Sequence, residues 1–169
     1  NATTLDRVIR RQFDTVEGDP FDPRAIRQAS ERIEALGFFS ATQVEAREGT
    51  SPDRVIVDVD VDEQPTGSLG FSFGYSSDDG TGLAVNFSEN NFLGRGQALR
   101  FGFDTTGDSQ SVSASFVEPA FMARDLALSV SVFTSSSDDD GATYDTESTG
   151  FRTGLGFPVS ENGRLSLFY

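Results

Sequence analysis

The 169-residue sequence contains no cysteine, no histidine, no tryptophan and no lysine, so its thirteen cations are all arginine. Each absence removes a class of chemistry. Without cysteine there is no disulfide and no thiol nucleophile. Without histidine the commonest general base and the commonest metal ligand are both gone. A phosphate-binding loop of the Walker type needs a lysine and has none here. Thirteen arginines against 27 carboxylates give 13 − 27 = −14, a balance that cannot neutralise a run of phosphates and so argues against a nucleic-acid partner. No stretch approaches the ~20 apolar residues that a membrane-crossing helix requires. The slightly negative mean hydropathy is no argument for a water-soluble fold, because strands that turn alternate residues to a polar lumen average to such values. Nothing at the start resembles a secretion signal, so an exported protein beginning at Asn1 reads as mature or as cut from a longer chain.

What the sequence does contain changes character near Pro65. Before it, Leu5, Val8, Ile9, Phe13 and Val16 recur at three- and four-residue spacing and predict one amphipathic helix, with Thr3 and Asp6 placed as a capping box and Glu17-Gly18-Asp19-Pro20 as its stop. A second helix is better punctuated. Asp22 is its cap, Pro23 suits the first position, Ile26, Ala29, Ile33 and Leu36 form the buried stripe, and Gly37 stands where a left-handed residue ends a helix. Two strands follow across the turn Gly49–Asp53, one carrying Val44 and Ala46, the other alternating Val55, Val57, Val59 and Val61 with Ile56, Asp58, Asp60 and Asp62. Two strands cover two helices poorly, which predicts a further strand ahead of Asn1.

From Gly67 the period is two, seven times over. Leu69, Phe71, Phe73 and Tyr75 alternate with Gly and Ser. The same alternation recurs around Leu83–Phe87, Leu99–Phe103, Val112–Phe116, Leu126–Val132, Phe151–Phe157 and Leu165–Tyr169. A water-soluble sandwich would hide its apolar face and cover the other with long charged side chains. Here the polar face is Gly, Ser and Arg, and the apolar face is rich in Phe, with aromatics near strand ends as at a membrane interface. The expected fold is therefore an antiparallel transmembrane β-barrel wall. Its turns should alternate: Ser77–Gly80, Thr106–Ser109 and the acidic Ser135–Thr146 outside, Asn90–Gly96, Pro119–Asp125 and Pro158–Gly163 on the periplasmic side. Seven strands fall short of the smallest complete barrel of this kind, which has eight.

Four segments in order resemble the Omp85 family of outer-membrane assembly proteins. Leu36-Gly37-Phe38-Phe39 is similar to the end of the second helix of that family's periplasmic POTRA domains. Thr66-Gly67-Ser68-Leu69-Gly70-Phe71 looks like the start of its first barrel strand. Asn91-Phe92-Leu93-Gly94-Arg95-Gly96 and Glu118-Pro119-Ala120-Phe121 resemble two of its periplasmic turns, with Ala120 departing from the usual aromatic. The resemblance covers essentially the whole chain. It implies an α+β POTRA-like domain (β-α-α-β-β, its first strand missing) over residues 1–64. Residues 65–169 would then be the first seven strands of an incomplete barrel in the outer membrane, with 1–64 in the periplasm.

The resemblance also implies a non-enzymatic function: assembly and insertion of β-barrel proteins into the outer membrane, or, in related branches, a translocation pore or a TamA-like factor. Unfolded outer-membrane proteins would be the substrates, added at the edge of the first barrel strand, here Gly67, Ser68, Leu69, Gly70, Phe71, Ser72, Phe73, Gly74 and Tyr75. Arg10, Arg11 and Glu17 match positions the family turns to a BamD-type lipoprotein. Among the turn residues Asn91, Phe92, Leu93, Gly94, Gly96, Glu118, Pro119 and Phe121, Phe92 and Leu93 fit either a contact with the inner leaflet and its lipids or packing beneath the barrel rim. No cofactor and no metal is expected. Asp138-Asp139-Asp140-Gly141 lacks the ligand spacing of a calcium loop, and the regular Asp58, Asp60 and Asp62 are explained as the polar face of a strand. No carboxylate pair is set in the contrasting surroundings a glycosidase needs.

Overall fold

The computed structural model describes residues 3–49, 54–77, 80–138, 145–160 and 163–169. The chain divides into two compact units, Asn1–Thr66 with Leu93–Arg95, and Gly67–Phe92 with Gly96–Tyr169.

In the first unit, helix α1 (Asp6–Arg10) and helix α2 (Pro23–Ala35) accompany an antiparallel pair, β1 (Phe39–Glu48) and β2 (Val55–Glu63). Helix α2 forms as its sequence predicts. The Asp22 carboxylate accepts from the Arg24 N–H at 2.8 Å, Pro23 opens the first turn, and Gly37 takes φ +70° just beyond the end. The apolar stripe of α2 meets α1 and the sheet in one small core of Val8, Ile9, Ile33, Phe38 and Phe39, with Phe13, Leu36, Val44, Val59 and Val61 packed against it. The Phe38 and Phe39 rings meet edge to face at 6.2 Å, the geometry their quadrupoles favour.

Helix α1 is shorter than the expected Leu5–Val16 element, and the capping box does not form. Leu5 is the N-cap and makes no side-chain cap bond. Beyond Arg10 the helix tightens: the N–H groups of Gln12 and Phe13 donate to carbonyls three residues back, and the Gln12 side-chain amide donates to the Val8 carbonyl. Arg32 of α2 then donates to the Gln12 carbonyl at 2.9 Å and to Asp14 at 2.5 Å, tying the chain down where a helix would have continued. Val16 is left 71% exposed.

The second unit is one seven-stranded antiparallel sheet in sequence order: β3 (Gly67–Ser76), β4 (Gly80–Phe92), β5 (Gln97–Thr105), β6 (Ser109–Glu118), β7 (Ala127–Ser137), β8 (Thr146–Ser160) and β9 (Gly163–Phe168). Pro158 lies inside β8, at a register irregularity, rather than in the turn its sequence suggests. The register keeps apolar residues opposite apolar ones: Phe71 faces Val85, Val85 faces Phe103, Phe103 faces Val112. Gly, Ser and Arg predominate on the other face, which also carries Phe133 and Phe168. Among the described residues, every fully buried hydrophobic belongs to the first unit; the apolar face of the sheet is bare, with Phe71 69% and Tyr75 79% exposed. No helix among the described residues is long and apolar enough to cross a membrane, which says nothing of strands.

Candidate functional site: an edge strand and the turns at its end of the sheet

Strand β3 comes first in the strand order and pairs only with β4, so its outer side is the edge of the sheet among the described residues. All nine residues singled out in the sequence, Gly67 through Tyr75, lie in it and are exposed. The strand alternates strictly. Leu69, Phe71, Phe73 and Tyr75 stand opposite Phe87, Val85, Leu83 and Thr81, while Gly70 faces Asn86 and Gly74 faces Gly82. At its start Ser68 and Ser88 share a hydroxyl hydrogen bond at 2.8 Å, and the Glu89 carboxylate lies over Gly67, 2.7 Å from where a β-carbon would sit.

Two tight turns stand at the end of the sheet where β3 begins, and carboxylates order both. At the end of β4, Glu89 accepts from the Asn91 N–H at 2.8 Å, and the buried Asn91 side-chain oxygen accepts from the Gly96 N–H at 2.8 Å. Leu93 (φ +54°), Gly94 (φ +70°) and Gly96 (φ +67°) all take left-handed conformations to make the reversal. Leu93 is exposed and Phe92 half-buried. Gly94 belongs to the first unit, where its carbonyl accepts from the Leu5 N–H at 2.8 Å; a β-carbon there would fall 1.9 Å from the Thr3 carbonyl oxygen. After β6, Glu118 repeats the device of Glu89, accepting from the Ala120 N–H at 2.9 Å, and also receives the Gln97 amide at 2.5 Å. Pro119 follows it, and Phe121 opens a short 3-10 turn that ends in left-handed Met122 and Ala123.

The charged trio lies at and beyond the end of α1. Arg10 and Glu17 form an exposed ion pair at 3.1 Å, whereas Arg11 is the C-cap of the helix. Two acceptors, Glu63 and Glu89, were not singled out by sequence. Glu63 takes the Thr3 N–H at 2.9 Å and the Thr4 N–H at 2.6 Å across nearly sixty residues, a partnership no local pattern announces. Glu89 and Glu118 do share a signal, a carboxylate two residues ahead of a turn amide. Asp139–Gly141 lie outside the described residues, as do parts of the Gly49–Asp53 and Ser77–Gly80 turns; among the described residues no cluster of acids could hold a metal ion.

Two family models match the chain: residues 1–64 match the POTRA model, described as a surface antigen variable number repeat, and residues 91–169 match the Omp85 superfamily domain, while residues 65–90 lie in neither match. The outer membrane protein assembly factor BamA of Neisseria meningitidis serogroup B is 30% identical, over 98% of this chain and 22% of its own length. That of Neorickettsia risticii is 29% identical, over 100% of this chain and 23% of its own. A crystal structure of BamA from Haemophilus ducreyi lacking POTRA domains 1–3 superposes with a TM-score of 0.80 at 29% identity, over 98% of this chain and 32% of that one.

This chain belongs to the Omp85 superfamily.

It carries a short POTRA-type α/β unit followed by seven antiparallel strands that match part of the BamA barrel. It spans less than a third of the length of the Omp85 relatives and structure it matches. Omp85 assembly factors of this kind reside in the outer membrane, with their POTRA domains in the periplasm, and are non-enzymatic. The bare apolar face of the sheet is thus its lipid-facing side, and the Gly, Ser and Arg face looks into the lumen.

Proposed function

We propose that this chain is the strand-templating part of an outer-membrane protein assembly factor, and that the edge of β3, Gly67 through Tyr75, receives the substrate. Unfolded outer-membrane proteins are the partners at that edge. The observation that supports the reading is the position of β3 at the end of the strand order, paired on one side among the described residues, with its apolar residues sorted to one face. In hydrocarbon an open strand edge is costly because water cannot reach its N–H and C=O groups, so an incoming strand that pairs with them is strongly favoured. Residues 1–64 form the periplasmic unit and 65–169 the barrel portion. In the periplasmic unit Arg10, Arg11 and Glu17 form the face offered to a BamD-type lipoprotein. The turn residues Asn91, Phe92, Leu93, Gly94, Gly96, Glu118, Pro119 and Phe121 fix the sheet's periplasmic end, at the level of the inner-leaflet lipids.

The test uses the full-length protein in proteoliposomes and exploits the absence of cysteine from these 169 residues. Ser72→Cys on β3 should form a disulfide with a cysteine in the terminal strand of an assembling substrate. Ser131→Cys, inside the paired strand β7, should not. Equal cross-linking at both positions, or none at Ser72, would sink the proposal.

A further inference from the structure

We propose that Gly70 and Gly74 of β3 are sockets for inward-facing aromatic side chains, so that the edge prefers incoming strands with Phe or Tyr at two lumen-facing positions four residues apart. The inference rests on the strand-templating reading and adds which side chains that edge selects.

The sheet itself supplies the precedent. On β8, Gly150 lies directly opposite Phe133 of β7, and Gly154 directly opposite Phe168 of β9. A β-carbon at Gly150 would sit 2.7 Å from the Phe133 ring, and one at Gly154 would sit 2.6 Å from the Phe168 ring. Each ring therefore occupies space a side chain would have filled, at Gly154 together with the Ser129 hydroxyl at 2.7 Å, and Gly154 is buried. Covering a strand glycine with a cross-strand aromatic offsets the weakness glycine brings to a strand.

Register places Gly70 and Gly74 on the same face. Directly opposed residues point to one side of a sheet, and the sequence of partners runs Ser72, Ala84, Asp104, Ser111, Ser135, Ser148. Counting by twos from Ser72 reaches Gly70 and Gly74, and from Ser148 reaches Gly150 and Gly154. The two pairs of glycines share a face and a four-residue spacing. They differ in what covers them. Among the described residues a β-carbon at Gly74 would meet nothing within 4 Å, and one at Gly70 would meet only the Asn86 carbonyl, at 3.9 Å. Neither residue has a positive φ. No local clash and no backbone conformation demands glycine at either place. Among the described residues the space beside both glycines is open, and on the templating reading that is where an incoming strand would stand. Phe71, Phe73 and Tyr75 already crowd the lipid face, so the lumen face is where a bulky partner side chain finds space.

The experiment measures insertion of a test barrel substrate by full-length protein in proteoliposomes, read as acquired protease resistance. The substrate is made with Phe or with Ala at one inward-facing position of its terminal strand. With the native edge, Phe→Ala should slow insertion on the order of threefold, the size of one cross-strand pair. With Gly74→Val or Gly70→Val, whose side chains fill the socket, the Phe substrate should slow and the difference between Phe and Ala should vanish. Gly74→Ala, a methyl group placed in open space, gives the same direction with a smaller loss if the valine variants fail to fold. A Phe→Ala penalty that is absent with the native edge, or undiminished in the filled variants, overturns the inference. The Ser72→Cys disulfide separates the two proposals. If it forms without this coupling, only the socket falls; if it does not form, templating and socket fall together.

Discussion

Glutamates at the ends of strands organise this chain one residue at a time. Glu89 and Glu118 each reach two residues forward to a turn amide, and Glu63 reaches to the opposite end of its unit to hold the N–H groups of Thr3 and Thr4. Carboxylates suit this work because an ionised oxygen accepts more strongly than a neutral one. Thr4 is buried, so removing its acceptor leaves a donor that water cannot easily serve. Glu63→Ala should therefore destabilise the protein by about 1–3 kcal/mol, and Glu63→Gln by less, since the amide oxygen still accepts. Urea denaturation of the full-length protein, followed by a probe in the POTRA-type unit, checks this. A loss for Glu63→Ala no larger than for an exposed control such as Glu31→Ala would show that the bonds contribute nothing.

At the scale of elements, the difference between α1 and α2 shows what sequence could and could not reveal. Both have an apolar stripe, yet only α2 carries its punctuation locally, in Asp22, Pro23 and Gly37. The end of α1 is imposed from outside, by Arg32, whose guanidinium reaches the Gln12 carbonyl and the Asp14 carboxylate from the other helix. A contact between residues eighteen and twenty positions apart leaves no periodic trace. The strands were legible because a period of two survives whatever the strand packs against, and so the edge strand was read residue for residue. Which glycines are covered and which are open was not, because that depends on register across five strand pairs. The Arg32 contact also predicts a pH effect. The hydrogen bond from Arg32 holds the Asp14 carboxyl below its usual range, outweighing a small opposing cost of burial. A lowered folded-state pKa means the pair stabilises the protein above the unfolded carboxyl value near ~3.9 and that this is lost as pH falls through the lowered value. Asp14 is largely and Arg32 partly exposed, so screening keeps the contribution to about 0.2–1 kcal/mol. Asp14→Asn should cost that much at pH 7 and nothing at a pH low enough to protonate the native residue. A penalty that persists unchanged in acid would assign the effect to packing instead.

The whole chain is built for two solvents. The POTRA-type unit hides Val8, Ile9, Ile33, Phe38 and Phe39 from water, whereas the sheet leaves its apolar residues uncovered and lines the opposite face with glycine, serine and arginine. In water the second arrangement would be unstable, since a broad bare apolar face recruits other surfaces. In a bilayer the same face needs no protein cover, and its cost appears only when a charge is placed on it. Neighbouring strands give a matched pair of positions. Val132, mid-way along β7, is half exposed on the lipid face; Ser113, mid-way along β6, is exposed on the lumen face opposite Gly102. In the full-length protein in liposomes, Val132→Arg should cost about 2–4 kcal/mol, because its guanidinium has no water at the bilayer midplane, while Ser113→Arg should change stability by less than ~1 kcal/mol, because the lumen hydrates it. Reversible urea unfolding from lipid reads both. Equal tolerance at the two sites would mean that both faces meet water and that the sheet is no membrane wall. Equal loss would mean that both faces are dry, and the lumen assigned to the glycine and serine face would have to be given up.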